Sequence, residues 1–393
     1  MLEEKLERSV EQSAAALTAM ADDFFDHPEV GQQEFHAFET LTGWLEKEGF
    51  TVERGIAGMD TAFRAVWKHG EGGPNIGLLC EYDALAGLGH ACGHHMQGPA
   101  ILGAAKALKD AAIDAPYTIT VYGTPAEETI SGKVVMLENG CTFEELDVAL
   151  MMHGGPATQV DVKSLALNKL KIIYHGVCSH AALKPEKGRS ALDGLILACQ
   201  FLREHVPSDV RMHYTIVNCG GTAANVVPGY AEASMYVRSY NRTELDGVVA
   251  RVKKVLQGAA MMTETEVEII EEKSLDNKIP VLSLNELVME QAEKVKAPCI
   301  RPARQKTGST DFGNVMRHVP GTCIRVAFVP EGAAAHSQEY LDAGKTEAAH
   351  NAVVYGAKIL ALTGAQLIEN PEKLEAIKKE FHENLAKELN GQS

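Results

Sequence analysis

Residues Gly89–Gly98 read GHACGHHMQG, and the rest of the chain is best understood from this segment. It places three histidines and one cysteine among ten residues, with glycines on both sides. A predicted buried strand, Asn75–Cys80, precedes it, and an apolar-periodic helix beginning at Pro99 follows it. The segment is therefore a loop between a strand and a helix, where open α/β sheets bind their ligands. Thiolate and imidazole together favour zinc and similar metals.

The composition is that of an ordinary globular chain. Its 393 residues exceed what one compact core usually holds, so two domains are expected. A formal net charge of −16 argues against a nucleic-acid partner, which would require a basic surface. The charged N-terminus, which has no apolar core, is not expected to be a secretory signal, and no apolar run is expected to approach the length of a membrane span. Eight singly placed cysteines, without a CxxC pair, indicate reduced thiols and a cytoplasmic protein.

Two further predicted strands end in groups that can bind a metal. Tyr117–Tyr122 runs into Glu127 and Glu128, and Asp147–Met152 ends at His153. Strands that alternate with helices predict a largely parallel sheet, whose carboxyl ends meet at one edge. Of two adjacent glutamates, one side chain can bind a metal while the other faces a water. Three strand ends with such groups favour a metal site at this edge.

A late loop adds one more candidate. His336 follows the predicted strand Cys323–Phe328, in a run of small and polar residues. One loop histidine is weak evidence by itself. It gains weight because a metal site built by the first half of the chain needs a group that closes it.

The pattern changes near Val162. From Lys163 to about Leu275 the predicted order is strand, helix, strand, strand, helix, strand, which is the order of the split βαβ sandwich, with its first helix over Ala191–Glu204. We therefore expect a first domain of residues 1–162 plus 276–393, and an inserted α+β domain of residues 163–275.

Several motifs occur in one order along the chain: GLGHACGHH, PAEE followed by SGK, MMHGGP, GVCSHAALKPEKGRSAL, ANVVPGYAEASMYVRS, GSTDFGNV and AHSQEY. In these motifs the sequence resembles peptidase family M20, from about Leu17 to about Leu362. More narrowly it resembles the branch with a cysteine ligand, which includes aminobenzoyl-glutamate hydrolases, auxin-conjugate amidohydrolases and β-alanyl dipeptidases. The resemblance implies an α/β metallo-exopeptidase catalytic domain of α/β/α layers, with an inserted ferredoxin-like lid that forms the dimer.

The resemblance also implies a role for each matching residue. It implies two divalent ions, zinc or manganese, with these ligands: Cys92, which the ions share, His94, Glu128, His153 and His336. Glu127 is then the general base and acid, and Asp83 orients the ligands from behind. In the inserted domain, His180 stabilises the oxyanion, and Asn225 and Arg238 hold the carboxylate of the substrate.

These roles predict metal-dependent hydrolysis of an amide bond in small N-acyl amino acids or dipeptides with a free carboxylate. The partners expected are that substrate and a second copy of the chain, with no nucleic acid and no membrane. Two alternatives stay open: a non-catalytic relative that serves as a binding or scaffold subunit, and a cysteine hydrolase that uses Cys92 as the nucleophile. A nucleotide-dependent oxidoreductase is disfavoured, because no GxGxxG motif or P-loop follows the early strands. His95 and Ala86 depart from the family pattern, which concerns the substrate pocket more than the chemistry.

Overall fold

The computed structural model describes residues 1–203 and 206–390. Contacts divide the chain into two compact units. The first unit contains Met1–Lys163 and Lys278–Leu385. The second unit contains Ser164–Asn277 and the chain end from Ala386.

Strands and helices alternate through most of the described residues. The strands are β1 (Thr51–Arg54), β2 (Phe63–His69), β3 (Asn75–Cys80), β4 (Tyr117–Gly123), β5 (Val148–Gly155), β6 (Gln159–Lys163), β7 (Ala166–His175), β8 (Ser179–His180), β9 (Arg211–Asn218), β10 (Val226–Val227), β11 (Tyr230–Ser239), β12 (Glu266–Leu275), β13 (Arg304–Lys306) and β14 (Gly321–Ala327). The helices are α1 (Leu2–Asp26), α2 (Phe35–Lys47), α3 (Gln97–Ala111), α4 (Gly132–Glu138), α5 (Ala191–Phe201), α6 (Arg242–Thr263), α7 (Leu282–Lys294), α8 (Phe312–Val315), α9 (Gln338–Ala343), α10 (Glu347–Glu369) and α11 (Pro371–Leu389). The predicted end of the α5 helix, Glu204, lies outside the described residues.

The first unit is built on a mixed sheet with the order β1-β2-β4-β3-β5-β14-β6-β13. Its centre, β4-β3-β5-β14, is parallel, as predicted, whereas β2 and β6 run antiparallel to their central neighbours. The reversals follow from short connections. Residues 70–74 and 156–158 are too few for the crossover that a parallel pair requires.

Both faces of this sheet are covered, because alternate residues of a strand point to opposite faces. In β3, Ile76 and Leu78 belong to the larger hydrophobic cluster, to which α1, α3 and α10 also contribute. Leu79, on the other face, belongs to a second cluster that includes residues of α4 and α8. The expected α/β/α layering is therefore confirmed for this unit.

Helix packing on the larger cluster is close. Gly103 of α3 has no room for a side chain, since a Cβ there would lie 2.7 Å from Leu17 of α1 and 2.9 Å from Ala357 of α10. By length and composition alone α10 could cross a membrane, but 72% of its apolar stretch is buried inside the protein. The expectation that no apolar run reaches that length was wrong for α10, whose apolar character comes from its position in the core.

The second unit is a four-stranded antiparallel sheet with the order β12-β7-β11-β9. Helices α5 and α6 share one hydrophobic cluster with the strands. Along β11, Ala231, Ala233, Met235 and Val237 are buried, and the residues between them are only partly buried. This period of two and the strand and helix order confirm the ferredoxin-like prediction.

Candidate metal centre

The parallel centre of the first sheet brings its polar loops to one edge. The segment after β3 carries Asp83 and continues into the loop with Cys92 and His94, and the loop after β4 carries Glu127 and Glu128. The loop after β14 supplies His336. His153 differs from its prediction, because β5 does not end before it but continues to Gly155. His153 therefore projects from within a strand, which fixes its backbone by sheet hydrogen bonds.

Five of these side chains form two overlapping groups of possible metal ligands. One group is Cys92, His94 and His153, and the other is Cys92, Glu128 and His336. Within each group the ligand atoms lie within 4.8 Å of one another. The groups share Cys92, so the geometry is suited to two ions with one common ligand.

The Cys92–His94 turn is fixed by its backbone and by Asp83. Gly93, between the two ligands, has a φ of +91°, a conformation that side-chain-bearing residues rarely adopt. His94 Nδ1 lies 3.1 Å from both the main-chain oxygen and Oδ1 of Asp83, and Oδ2 of Asp83 accepts a hydrogen bond from Glu128 N at 2.9 Å. One buried carboxylate thus orients two of the candidate ligands, which is the arrangement expected behind a metal site.

His336 reaches the centre from a strained backbone position. Its φ is +64°, which is uncommon for a residue with a side chain, and its amide donates to Ala91 O at 3.0 Å. The imidazole Nε2 lies 3.2 Å from Glu128 Oε1. Strained backbone of this kind persists where the surroundings hold it, often at functional sites.

Glu127 lies beside both groups, together with three charged residues that the sequence reasoning left without a role. Lys133 is fully buried, with its Nζ 2.5 Å from Glu81 Oε1 and 2.8 Å from Asp311 Oδ1. Ligand atoms of Glu81, Glu127 and Asp311 all lie within 4.8 Å of one another. Burial raises the pKa of Glu127 well above its usual value, and the charges of Glu81 and Asp311 raise it further. Lys133 and Asp311 lie in the SGK and GSTDFGNV motifs, which the family resemblance already singled out. The motifs alone do not show that these two residues lie close to Glu127.

His95 does not belong to the ligand groups among the described residues. Its ring is buried, and Nε2 donates to Gly344 O at 2.8 Å. An edge-on contact with Phe25, 5.0 Å between ring centres, fixes the other side of the ring. Burial lowers the pKa of His95 to about 4, so the ring is neutral near pH 7. Its contacts are those of a packing residue.

The three predicted residues of the inserted domain lie in the second unit. His180 in β8 pairs with Val226 in β10, and the amide after it, Ala181 N, donates to Asn225 O at 2.9 Å. Arg238 of β11 lies over the ring of Tyr236, 4.7 Å from its centre. His180 and Asn225 therefore lie next to each other at the two-stranded sheet of β8 and β10. Arg238 lies on β11 of the four-stranded sheet.

The tautomer of His180 follows from its backbone contacts. The amides of Ala182 and Leu183 both lie 3.3 Å from its Nδ1. Because an amide can only donate, Nδ1 accepts, and the proton of the neutral ring is on Nε2. His180 therefore presents an N–H donor, which is what a residue that stabilises an oxyanion must offer.

A model of peptidase family M20/M25/M40 matches residues 77–362, more than half of the chain. The chain belongs to this family. It is 33% identical over 408 residues to mouse Xaa-Arg dipeptidase, covering 99% of this chain and 94% of the relative. It is 30% identical over 457 residues to one of the subunits of p-aminobenzoyl-glutamate hydrolase from Escherichia coli K12, covering 96% of this chain and 94% of the relative.

A solved structure shares the fold of this M20 chain. The crystal structure of a dinuclear metal-binding M20 peptidase from Bacillus subtilis superposes with a TM-score of 0.70 at 20% identity, covering 91% of this chain and 99% of that one. At that identity the likeness shows the fold alone. The fit of two metal ions therefore depends on the donor atoms of this chain.

The donors of this M20 chain fit a cationic occupant. Glu128 Oε1 is buried and accepts no hydrogen bond from the residues that the structure describes, although His336 Nε2 lies 3.2 Å from it. Burial alone would lower the pKa of His94, yet Cys92 and Glu81 raise it well above its usual value, so the surroundings favour positive charge there. A divalent ion would supply that charge and would accept an electron pair from Glu128 Oε1.

Cys92 is poorly suited to act as a nucleophile. Burial raises the pKa of its thiol to about 12. A cysteine nucleophile needs the opposite, because the thiolate is the reactive form. Coordination to a metal is the ordinary way in which such a buried thiol loses its proton. The alternative of a cysteine hydrolase is therefore disfavoured.

Proposed function

We propose that this M20 enzyme hydrolyses the amide bond of small N-acyl amino acids or dipeptides that carry a free carboxylate. The observation that carries the proposal is the pair of ligand groups that share Cys92, with Glu127 half-buried beside them. The relatives named as an Xaa-Arg dipeptidase and as a p-aminobenzoyl-glutamate hydrolase support this substrate class.

Two divalent ions, zinc or manganese, are the proposed cofactors. Cys92, His94 and His153 would hold one ion, and Cys92, Glu128 and His336 the other. When bound, such ions polarise an amide carbonyl and lower the pKa of a water. The thiolate and imidazoles favour zinc, whereas the carboxylate also suits manganese.

The chain's own groups would move the protons. Glu127 accepts a proton from the attacking water and gives it to the leaving amine, and its raised pKa makes it a stronger proton acceptor than an ordinary glutamate. Lys133, whose Nζ lies 2.8 Å from Asp311, offsets the negative charge of the carboxylates around Glu127. His180 donates from Nε2 to the oxyanion, a type of contact worth about 2.7–4 kcal/mol in the transition state. Arg238 and Asn225 hold the substrate carboxylate.

The proposed assembly is a homodimer formed through the second unit. Support comes from β9, an edge strand of that unit, where Ile216 is 40% and Val217 58% exposed. An apolar edge strand readily pairs with another chain. The proposed compartment is the cytoplasm, because eight singly placed cysteines suit a reducing environment.

Hydrolysis assays with defined metal content test the function. The purified protein, stripped by a chelator and then reloaded with zinc or manganese, is offered N-acyl amino acids, dipeptides and aminobenzoyl-glutamate. Release of the free amino acid should require the metal and should survive thiol alkylation of the loaded protein. Turnover that persists after complete metal removal would contradict the proposal. A metal-loaded protein that binds these compounds without cleaving them would support the non-catalytic alternative.

A further inference from the structure

The end of α1 and the start of α2 bring two histidines to one carboxylate. Asp23 lies in the last turn of α1, His27 caps that helix, and His36 is the second residue of α2. Each offers one ligand atom, and these three atoms all lie within 4.8 Å of one another. All three residues belong to the first unit, and none of them is a member of the ligand groups that share Cys92.

Both imidazoles face the carboxylate directly. Nε2 of His36 lies 2.6 Å from Oδ2 of Asp23, and Nδ1 of His27 lies 3.2 Å from Oδ1. The centres of the two rings are 5.3 Å apart. In a tetrahedral zinc site, bonds of about 2.0–2.2 Å place two ligand atoms about 3.3 Å apart. The separations at Asp23 are close to this value, and the exposed side chains of His27 and His36 have room to adjust to an ion.

The backbone around the three residues is already fixed. The carboxylate of Glu29 accepts hydrogen bonds from His36 N at 2.9 Å and from Ala37 N at 3.0 Å, which holds the first turn of α2. His27 N donates to Asp23 O at 3.1 Å and so closes the last turn of α1. The ring of His36 also makes an edge-on contact with the buried Phe24, with 6.2 Å between ring centres. Ligands that are held in this way lose little conformational freedom when they bind an ion.

The donor set and its surroundings suit a transition-metal cation. Two imidazoles and one carboxylate are the three protein ligands of a common type of zinc site, which leaves a fourth position for water. The C-terminal end of a helix carries partial negative charge, and this favours a cation at the end of α1. Lys345 pairs with Asp26 and His350 with Asp22, so these nearby cationic groups do not occupy Asp23.

We propose that Asp23, His27 and His36 bind a further divalent transition-metal ion, with zinc as the preferred ion. This site is separate from the Cys92 centre in its residues, and it does not depend on the proposed hydrolysis. Without an ion, Nδ1 of His27 donates to Asp23, whose main-chain oxygen is 2.9 Å away. Ligation needs the lone pairs of the nitrogens that face Asp23, so in each neutral ring the proton moves to the other nitrogen. The bound ion joins α1 to α2 and stabilises the folded protein in proportion to its occupancy.

Cobalt(II) is the first probe, because its absorption reports which atoms bind it. Cobalt bound by the Cys92 thiolate gives a thiolate-to-metal charge-transfer band, whereas cobalt bound by Asp23, His27 and His36 gives only the weaker d–d bands. Equilibrium dialysis of the metal-free protein against cobalt counts the ions, and the spectrum of the same sample assigns them. We expect the wild type to bind one ion that contributes no charge-transfer band.

Two variants locate this ion. His36→Ala and Asp23→Asn each remove one donor, and each should lower the affinity for the further ion by at least about tenfold, since even residues that only support ligands contribute that much. At a fixed cobalt concentration each variant should therefore bind one ion fewer, with an unchanged charge-transfer band and unchanged amide hydrolysis. Both side chains are at least partly exposed, so folding is expected to survive, and thermal unfolding without metal checks this.

His318→Ala is the matched control. His318 Nδ1 lies 3.3 Å from Glu144 Oε1, so one imidazole faces one carboxylate, but among the described residues the pair belongs to no group of three possible ligands. This variant should bind as many ions as the wild type. Equal numbers of bound ions in the wild type, His36→Ala and Asp23→Asn would overturn the proposal.

Calorimetric titration with zinc and with manganese tests the preferred ion. With the Cys92 centre already filled, the wild type should bind additional zinc at least tenfold more tightly than manganese, because imidazole favours zinc and manganese prefers oxygen ligands. The same zinc should raise the midpoint of thermal unfolding in the wild type and not in His36→Ala. Equal affinity for the two metals, or an equal shift of the midpoint in both proteins, would contradict ligation by the two histidines.

Discussion

The two units present their candidate functional groups in opposite ways. In the first unit, the side chains of His94, Asp83 and Lys133 are at most 1% exposed, and each has a fixed partner inside the protein. In the second unit, His180 and Asn225 are exposed, and Arg238 is half-buried on the ring of Tyr236. Groups that hold one another are already positioned for chemistry, whereas exposed groups still need a ligand or a partner. In the roles proposed above, the first unit holds the ligands and the proton-transfer group, whereas the second unit contributes the oxyanion donor and the groups that bind the substrate carboxylate.

The most severe test of the first unit is Glu127→Gln. The amide cannot take the proton of the water, so turnover should fall by at least about 10²–10⁴-fold, the contribution of general acid–base catalysis. Metal content should stay near that of the wild type, because both ligand groups remain. Steady-state rates together with metal analysis of the same sample give both numbers.

A matched control is Glu138→Gln, which makes the same chemical change at an exposed residue at the end of α4. It should keep wild-type turnover. Near-normal activity in Glu127→Gln would move the base to another residue and would remove the main argument for chemistry in the first unit.

The next largest effect is expected from Cys92→Ala. Cys92 belongs to both ligand groups, so its loss should weaken the binding of both ions and lower the rate with them. Even residues that only support ligands cost about 10–100-fold in metal affinity, and a shared ligand should cost more. Metal titration against a competing chelator measures the change.

Two variants show whether the effect is specific. Cys80→Ala removes a buried thiol from β3 without removing a member of either ligand group. This variant should therefore bind metal like the wild type. His95→Ala should lower metal binding far less than Cys92→Ala, because His95 contacts Gly344 and Phe25 rather than the ligands. Full metal content and activity in Cys92→Ala would contradict the shared-ligand geometry.

The sequence predicted the first unit's candidates because they follow from a general rule. Cys92, Glu127 and Glu128 come after predicted parallel strands, and the carboxyl ends of such strands meet at one edge. The inserted domain's residues were different, since Asn225 could be picked only through the family resemblance. A residue in a loop between short strands has no periodicity that marks it.

The ion pairs that Asp161 makes with Arg325 and Lys278 could not be predicted in this way. Arg325 is one charged residue inside the apolar strand GTCIRVA, and Lys278 follows the last strand of the inserted domain. Only the register of β14 against β5 puts Arg325 beside His153, and only the fold brings Lys278 to Asp161. Such long-range pairing is set by packing over the whole sheet, which a local pattern does not contain.

A smaller effect, on stability, is expected at Glu34 in the first unit. Glu34 is fully buried, and its carboxylate accepts from Ala126 N at 2.8 Å and from Thr61 Oγ1 at 2.9 Å. Burial raises its pKa to about 7. A raised carboxyl pKa favours the folded state below the unfolded pKa, and that stability is lost as pH rises from about 4.5 to about 7.

Glu34→Gln should remove this pH dependence. The free energy of unfolding of the wild type, measured with urea at several pH values, should fall by about 1–3 kcal/mol between pH 4.5 and 7. In Glu34→Gln this fall should be absent. Above pH 7 the variant should be no less stable than the wild type, because its amide carries no charge to bury. The same pH profile in both proteins would show that Glu34 does not titrate in this window.

The last test concerns the second unit. It asks whether His180 acts at the metal centre of its own chain or at that of the partner subunit. If dimers form through that unit, a two-fold axis can place His180 at the metal centre of the partner subunit. Mixed dimers distinguish the two cases. Glu127→Gln and His180→Ala are each expected to be nearly inactive alone. In a mixed dimer, one subunit carries each substitution. If His180 acts across the interface, both substitutions affect the same metal centre and the other centre is intact. Action within one chain would leave a lesion at each centre.

The expected recovery has a definite size. Random re-pairing of equal amounts makes about half of the dimers mixed, each with one intact centre of two, so about a quarter of wild-type activity should return. Mass spectrometry of the re-paired sample confirms that mixed dimers form, and each variant re-paired with itself is the control. Confirmed mixing without recovered activity would rule out the cross-subunit role. His180 would then have to serve its own chain, and the exposed groups of the second unit would need the substrate alone, and not a second subunit, to complete them.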